Sequence, residues 1–164
     1  MISGIENAGQ WFSLPFHKFL HEGEIEPKAI SFCEIPKCSS RLVVGIFSAK
    51  GETADRLMQI LDNPKRLLTE LEARKRKALV ALSKNKSAKP VSSQSFITPL
   101  VKDGIHGFAL SMKRKDGKAE VESTVFGWKK DNVLQIIIVV GTEREIVDKT
   151  AIGVLARRNQ SAFD

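Results

Sequence analysis

Two cysteines, Cys33 and Cys38, are the residues of this chain whose type and spacing most directly suggest chemistry. They flank a four-residue turn that contains Pro36. If the residues on either side of the turn pair across a hairpin, the two Cα atoms come within disulfide range. A disulfide there would close a small loop, lock the turn and favour an oxidising compartment. Two unrelated thiols, or a metal or redox role, are the alternatives, although the spacing differs from the Cys-x-x-Cys of thioredoxin-type sites.

Three histidines are the next candidates, and none has the sequence partners that catalysis or metal binding needs. His17 and His21 are four residues apart, so they share a face if the segment is helical, but a zinc site needs at least a third ligand. His106 lies between glycines at a predicted turn, with no evident acid or nucleophile partner. We therefore predict no metal site, and we expect the histidines to be structural or partly exposed.

The motifs that mark common enzymes are also missing from the sequence. Gly-x-Ser-x-Gly does not occur, and neither does a glycine-rich phosphate-binding loop. Glu120 and Glu122 fall on one strand face, where we expect both carboxylates to point to solvent. The sequence thus predicts no catalytic residue and no cofactor, and it disfavours an enzyme without excluding one.

Positive charge is concentrated in one part of the chain. Residues 63–90 hold nine lysines and arginines and two acids, which together account for the whole net charge of +7. We interpret this segment as a surface for a polyanion, which would be nucleic acid, acidic lipid headgroups or an acidic protein face. The residues that would make the contact are Lys65, Arg66, Arg74, Lys75, Arg76, Lys77 and Lys84. The alternative is a solvated helix face, and the segment has no aromatic residue on which a base could stack.

The first half of the chain, residues 1–82, predicts two strands followed by helices. Residues 29–33 and 41–49 have the apolar content of strands, and residues 52–61 have the apolar spacing of a helix. Asn63 and Pro64 are a favoured N-cap and first residue for a second helix, which we expect to run to about Leu82. Residues 83–95 are polar and predict a flexible loop.

The second half, residues 96–164, predicts strands and a final helix. A short edge strand at 96–101 precedes alternating apolar residues at 108, 110 and 112, and a turn at 116–117 leads to a return strand at 119–128. Residues 133–140 are apolar on both faces, which is typical of a central strand covered on both sides. Thr142 and Glu145 have capping-box spacing, so we expect a helix with Thr142 as its N-cap that runs to about Arg158.

These elements predict a single α+β domain, with an antiparallel sheet of about five or six strands and helices packed on its faces. The length of 164 residues suits one domain, and no apolar run approaches the roughly 20 residues that span a bilayer. The N-terminal residues lack an export signal. We therefore expect either a cytoplasmic protein or the mature form of an exported, periplasmic one.

An aromatic segment lies near the N-terminus, interrupted by Pro15, which stops a single helix from crossing it. Its large side chains are Trp11, Phe12, Phe16 and Phe19. We predict an arm that packs on the core. The alternative is a hydrophobic docking surface for a protein partner.

One stretch of the sequence resembles a known family. It begins with Gly104-Ile105-His106-Gly107-Phe108-Ala109-Leu110 and continues with a hairpin, an apolar strand and a capped terminal helix. Over residues 96–158 this order of elements and hydrophobic pattern resembles the C-terminal half of PsbP-type domains. The resemblance implies an antiparallel sheet between helices, and a binding or assembly role rather than a named activity. The long basic helix of the first half departs from that pattern.

We therefore interpret the protein as a non-catalytic binding or assembly module, with a protein as the expected partner. The alternative is a nucleic-acid-associated protein that binds polyanions through residues 63–90. The sequence predicts neither the identity of the ligand nor the oligomeric state.

Overall fold

The computed structural model describes residues 12–13, 24–36, 38–83, 93–114 and 120–159. The strands in this part of the chain are β1 (Phe12–Ser13), β2 (Ile25–Cys33), β3 (Leu42–Ala49), β4 (Ser93–Lys102), β5 (Ile105–Arg114), β6 (Glu120–Lys130) and β7 (Val133–Gly141). The helices are α1 (Gly51–Asp62), α2 (Lys65–Ser83) and α3 (Arg144–Ala156). None of these helices is long and apolar enough to cross a membrane.

All the strands belong to one antiparallel sheet, with the order β1-β2-β3-β7-β6-β5-β4. The predicted α+β class is confirmed, because six longer strands form the sheet and the two-residue β1 pairs outside β2. Neighbours in the sheet are mostly neighbours in sequence, since tight hairpins join β4 to β5 and β6 to β7. Positive φ angles at Asp103, Gly104, Asp131 and Asn132 suit these two-residue turns. The exception is β3 with β7, which connects the two halves of the chain.

Strand β7 is the central strand that its apolar sequence predicted. Leu134 and Ile136 are buried on the face that α1 covers, while Ile137 and Val139 are buried on the face that α3 covers. Helix α3 contributes its own fully buried stripe, which consists of Val147, Ala151, Val154 and Leu155. The fold is therefore three layers, with α3 on one face of the sheet and α1 and α2 on the other.

The predicted capping box at the last helix is wrong. Helix α3 begins at Arg144, its N-cap is Glu143, and no side chain makes the capping hydrogen bond. The hydroxyl of Thr142 instead lies 3.3 Å from the hydroxyl of Ser40, in the segment before β3. Thr142 therefore helps to hold that segment against the end of β7 rather than starting the helix.

The cysteine pair has the geometry of a disulfide. The sulfur atoms of Cys33 and Cys38 lie 1.92 Å apart, and the two Cα atoms are separated by 5.9 Å. Both cysteines are almost fully buried, and the Cys38 N–H donates to the Glu34 carbonyl at 2.9 Å. The turn is therefore closed by both a backbone hydrogen bond and a covalent link, in agreement with the disulfide interpretation.

Thiol labelling tests this link. Under denaturing, non-reducing conditions we expect an alkylating reagent to leave the mass of the protein unchanged, and to add two groups after reduction. Replacing both cysteines with alanine should lower the free energy of unfolding by about 2 kcal/mol, since the closed loop is short. Ser39→Ala, an exposed position in the same turn, is the matched control. Alkylation of both thiols before reduction would contradict the link.

Candidate ligand-binding cavity

A cavity of about 760 Å³ lies between the sheet and the two helices α1 and α2. Its floor is formed by the strand residues Ile25, Phe47, Phe108, Val125, Ile136 and Ile138. Its roof is formed by the helix residues Leu57, Ile60, Leu61 and Leu67. Among the described residues, its rim holds three polar ones, Glu24, Thr53 and Arg56. The volume falls within the range of small-molecule sites, which are typically about 300–1,000 Å³.

The cavity exists because the two helices leave part of this sheet face uncovered. Only three of the ten apolar lining residues, Leu61, Phe108 and Ile136, are fully buried. Of the others, six are half-buried and Ile25 is 38% exposed. On the opposite face, α3 seals its buried stripe directly against β6 and β7. The cavity is therefore a local gap in the apolar core, with apolar walls that are still accessible.

Two glycines shape this face of the sheet. A Cβ atom at Gly127 would collide with the Cδ1 atom of Leu61, so the missing side chain lets the end of α1 approach the sheet. A Cβ atom at Gly45 would lie 2.6 Å from the ring of Phe47, so that ring lies over the glycine. Together they fix where the roof touches the floor and how the ring of Phe47 is oriented.

Glu24 on the rim caps helix α1. The N-cap residue Lys50 makes no side-chain capping bond. The backbone N–H of Thr53 donates instead to the Glu24 carboxylate at 2.8 Å, and the N–H of Lys50 donates to the Glu24 carbonyl at 3.0 Å. Gly51 has a φ of +61°, and a Cβ atom there would lie 2.5 Å from the Glu24 carboxylate. A side chain in place of Gly51 would therefore both strain the backbone and displace the cap.

Hydrogen bonding lowers the pKa of the Glu24 carboxyl. The side chain of Thr53 makes the largest contribution, the backbone N–H of Thr53 the next, and the positive charge of Arg56 acts in the same direction. An ionised carboxylate at a helix N-terminus also interacts favourably with the helix dipole. Glu24 is consequently a structural anion, and its oxygens are already engaged by the first turn of α1.

Arg56 interacts with Glu24 only through its charge. It is exposed on the rim, and within the described part of the chain its guanidinium makes no hydrogen bond or ion pair. Its neighbour Asp55, by contrast, lies 3.5 Å from the Lys129 ammonium group. Arg56 is therefore the polar group on the rim whose donors are available to a ligand.

A second polar cluster lies on the opposite face, and it ties α3 to the sheet. The Nη2 atom of Arg144 donates to the Ser123 carbonyl at 2.8 Å and to the Thr124 hydroxyl at 2.7 Å. Its Nη1 atom lies 3.3 Å from the Glu122 carboxylate, without the geometry of a hydrogen bond. Thr124 in turn donates to Asp148 at 2.6 Å, one turn along α3.

The solvent-directed position expected for Glu122 is wrong, because this residue is only 4% exposed. Strand alternation puts Glu122 on the same face as Thr124 and Phe126, beneath the start of α3. There the carboxylate accepts a hydrogen bond from the Ser111 hydroxyl and pairs with Arg144. The cluster thus provides partners for the buried Glu122 carboxylate. It lies on the face of the sheet opposite the large cavity.

The site residues predicted from sequence lie elsewhere. The basic residues Lys65, Arg66, Arg74, Lys75, Arg76 and Lys77 all belong to α2. The side chains of Lys65, Arg66, Arg76 and Lys77 are exposed and are not among the described residues that line the cavity. Phe12 lies in β1 opposite Phe32. The other predicted site residues, Lys84, Trp11, Phe16 and Phe19, lie outside the described residues, as do His17 and His21. His106 is exposed on β5, and the described residues contain no group of three or more acids, cysteines and histidines that could hold a metal.

No protein-family model matches the chain, and no curated protein matches it.

The cap on α1 makes a pH-dependent contribution to stability. Since the pKa of Glu24 is lowered in the folded protein, its contribution is present above the ordinary value of 4.5 and is lost as the pH falls below it. We expect Glu24→Gln to lower the urea midpoint of unfolding at neutral pH, and the difference from the wild type to close in acid. Glu26→Gln, whose carboxylate pairs with Lys28 at 3.4 Å on the surface, is the control and should change the midpoint little. A constant difference at all pH values would contradict the role of the charge.

Proposed function

We propose that the protein is a non-catalytic binding module that holds a small, largely apolar ligand between the sheet and the helices α1 and α2. The observation that carries this proposal is the cavity itself, which measures about 760 Å³ and has apolar side chains at ten of the thirteen described positions that line it. Ligand sites commonly combine an apolar lining with a few polar groups that set orientation. Arg56 on the rim would supply that polar contribution here.

The accessible apolar walls of the cavity would supply the binding free energy. Burying an apolar group of a ligand against the half-buried residues Phe47, Val125 and Ile138 removes apolar surface from water on both partners. Each methylene group transferred in this way contributes about 0.8 kcal/mol. A ligand would thus complete the core on this face, as α3 completes it on the other.

The chemistry of the rim favours binding over catalysis. Glu24 has a lowered pKa and accepts hydrogen bonds from α1, which makes it a weak proton acceptor. Thr53 is bonded to Glu24, and the lining residues that the structure describes include no histidine or cysteine. The resemblance of residues 96–158 to PsbP-type domains supports the same proposal, since that family implies a binding or assembly role.

Filling the cavity tests this function. We expect the neutral dye Nile red to bind the protein with increased fluorescence, and Val125→Phe to reduce its affinity about tenfold or more because the larger ring occupies the cavity. The matched control is Val121→Phe, on the same strand and the same face but outside the cavity lining. Equal dye binding by the two variants, with both folded by circular dichroism, would contradict the proposal.

A second candidate function is polyanion binding by α2, and the exposure of its cations favours it. Lys65 and Arg76 are separated by eleven residues, as are Arg66 and Lys77, and all four are exposed. Eleven residues correspond to about three helical turns, or about 16 Å along the axis. Each pair therefore lies on one side of the helix, where phosphate groups of an extended polyanion could contact both members.

Salt dependence distinguishes this second candidate from a solvated helix face. If α2 binds nucleic acid, affinity should fall steeply with salt, and the double variant Arg76→Gln and Lys77→Gln should lower the slope of log affinity against log salt by roughly 2. The control is Lys149→Gln with Arg157→Gln, two exposed cations of the opposite layer. Absence of binding to DNA and RNA at low salt would eliminate this candidate.

A further inference from the structure

The rim of the cavity has one cationic group with unused hydrogen-bond donors. The carboxylate of Glu24 is held by the first turn of α1, through Thr53. Arg56 makes no hydrogen bond or ion pair with any described residue, although a guanidinium has five N–H donors in a planar fork. That fork matches a carboxylate or phosphate group better than it matches a neutral oxygen. The rim is therefore suited to the anionic end of a ligand.

The floor of the cavity crosses five neighbouring strands, from Ile25 on β2 to Phe108 on β5. Phe47 on β3 pairs with Ile136 on β7, Ile138 pairs with Val125 on β6, and Val125 pairs with Phe108. Apolar side chains therefore continue from strand to strand across the sheet. At a spacing of about 4.8 Å between strands, the five strands extend over about 19 Å. A straight, flexible apolar chain fits this shape better than a compact ring system.

The polar rim lies at one end of the apolar floor. Glu24 precedes Ile25, which pairs with Ala49, and Ala49 pairs with Leu134 at the start of β7. The polar rim is therefore on the β2 side of the cavity, and the apolar row leads away from it across the sheet toward Phe108. A ligand with its charged group at Arg56 would extend its apolar part along this row.

We propose that the ligand is a long-chain carboxylate, whose head is bound by Arg56 and whose acyl chain lies along the floor past Ile136 and Ile138. This inference rests on the proposed function, because it assigns a ligand class to the same cavity. Arg56 sets the preference for the head group, and the apolar floor supplies affinity that does not depend on the head. The two contributions can therefore be measured separately.

The test uses three ligands that have the same apolar tail and differ in the head group. Myristate, myristyl alcohol and myristyl trimethylammonium compete with Nile red for the full-length protein, each below its micelle-forming concentration. We expect myristate to compete best, and Arg56→Gln to weaken it about tenfold while leaving the alcohol unchanged. Arg56→Lys should restore part of the loss because it keeps the charge. Arg157→Gln, an exposed cation at the end of α3, should have no effect.

The outcomes separate this inference from the proposed function. Three results would overturn the proposed ligand class and leave the apolar site intact. They are equal competition by the three head groups, a preference for the ammonium, and a carboxylate preference that survives Arg56→Gln. Failure of Nile red itself to bind, or dye binding that Val125→Phe does not change, would overturn the proposed function as well. Unchanged circular dichroism and thermal midpoints of the Arg56 variants establish that a loss of affinity is local, because Arg56 is exposed and unbonded.

Discussion

The pairing of β3 with β7 joins the two halves of the chain, and the other layers depend on it. Eight residue pairs, from Leu42 with Gly141 to Ala49 with Leu134, hold these strands in register. With β6 paired on its other side, β7 has its backbone hydrogen bonds satisfied along both edges, while its side chains are apolar on both faces. Such a strand is stable only when both faces are covered, so the chain has to supply helices on each side.

The two faces of the sheet are covered to different degrees. Helix α3 is fixed to β6 by Arg144, whose guanidinium reaches the backbone of Ser123 and the buried carboxylate of Glu122. Removing one member of such a buried charged cluster leaves its partner uncompensated, so the arrangement also fixes the position of the helix. Helix α1 is anchored mainly at its ends, by the Glu24 cap and by Leu61 over Gly127. The space between these anchors is the cavity.

The sequence patterns predicted the elements well where one local signal dominated. The apolar run at 133–140, the proline-containing turn between the cysteines and the Asn63-Pro64 helix start all correspond to structure at nearly the expected positions. The prediction of Thr142 as an N-cap was wrong because its hydroxyl contacts a tertiary partner, the hydroxyl of Ser40. The prediction that Glu122 points to solvent was wrong because strand alternation alone does not say which face of the sheet a helix will cover. The expectations for residues outside the described ranges stay predictions.

The cavity could not have been predicted from the sequence. Its lining comes from seven separate elements, and its apolar members have the same residue types and spacing as ordinary core residues. What distinguishes them is that they are half-buried, which depends on how closely α1 and α2 approach the sheet. Arg56 likewise has no motif around it, and its availability follows only from the absence of a bonded neighbour among the described residues.

The most direct test of the account is a methyl NMR titration of the full-length protein with myristate. If the cavity is the binding site, the methyl signals of Leu57, Val125 and Ile138 should shift in a saturable way, while those of Val154 and Leu155 beneath α3 stay unchanged. Saturable shifts confined to residues outside the cavity lining, or no saturable shift at all, would contradict the claim that this gap in the core is a ligand site.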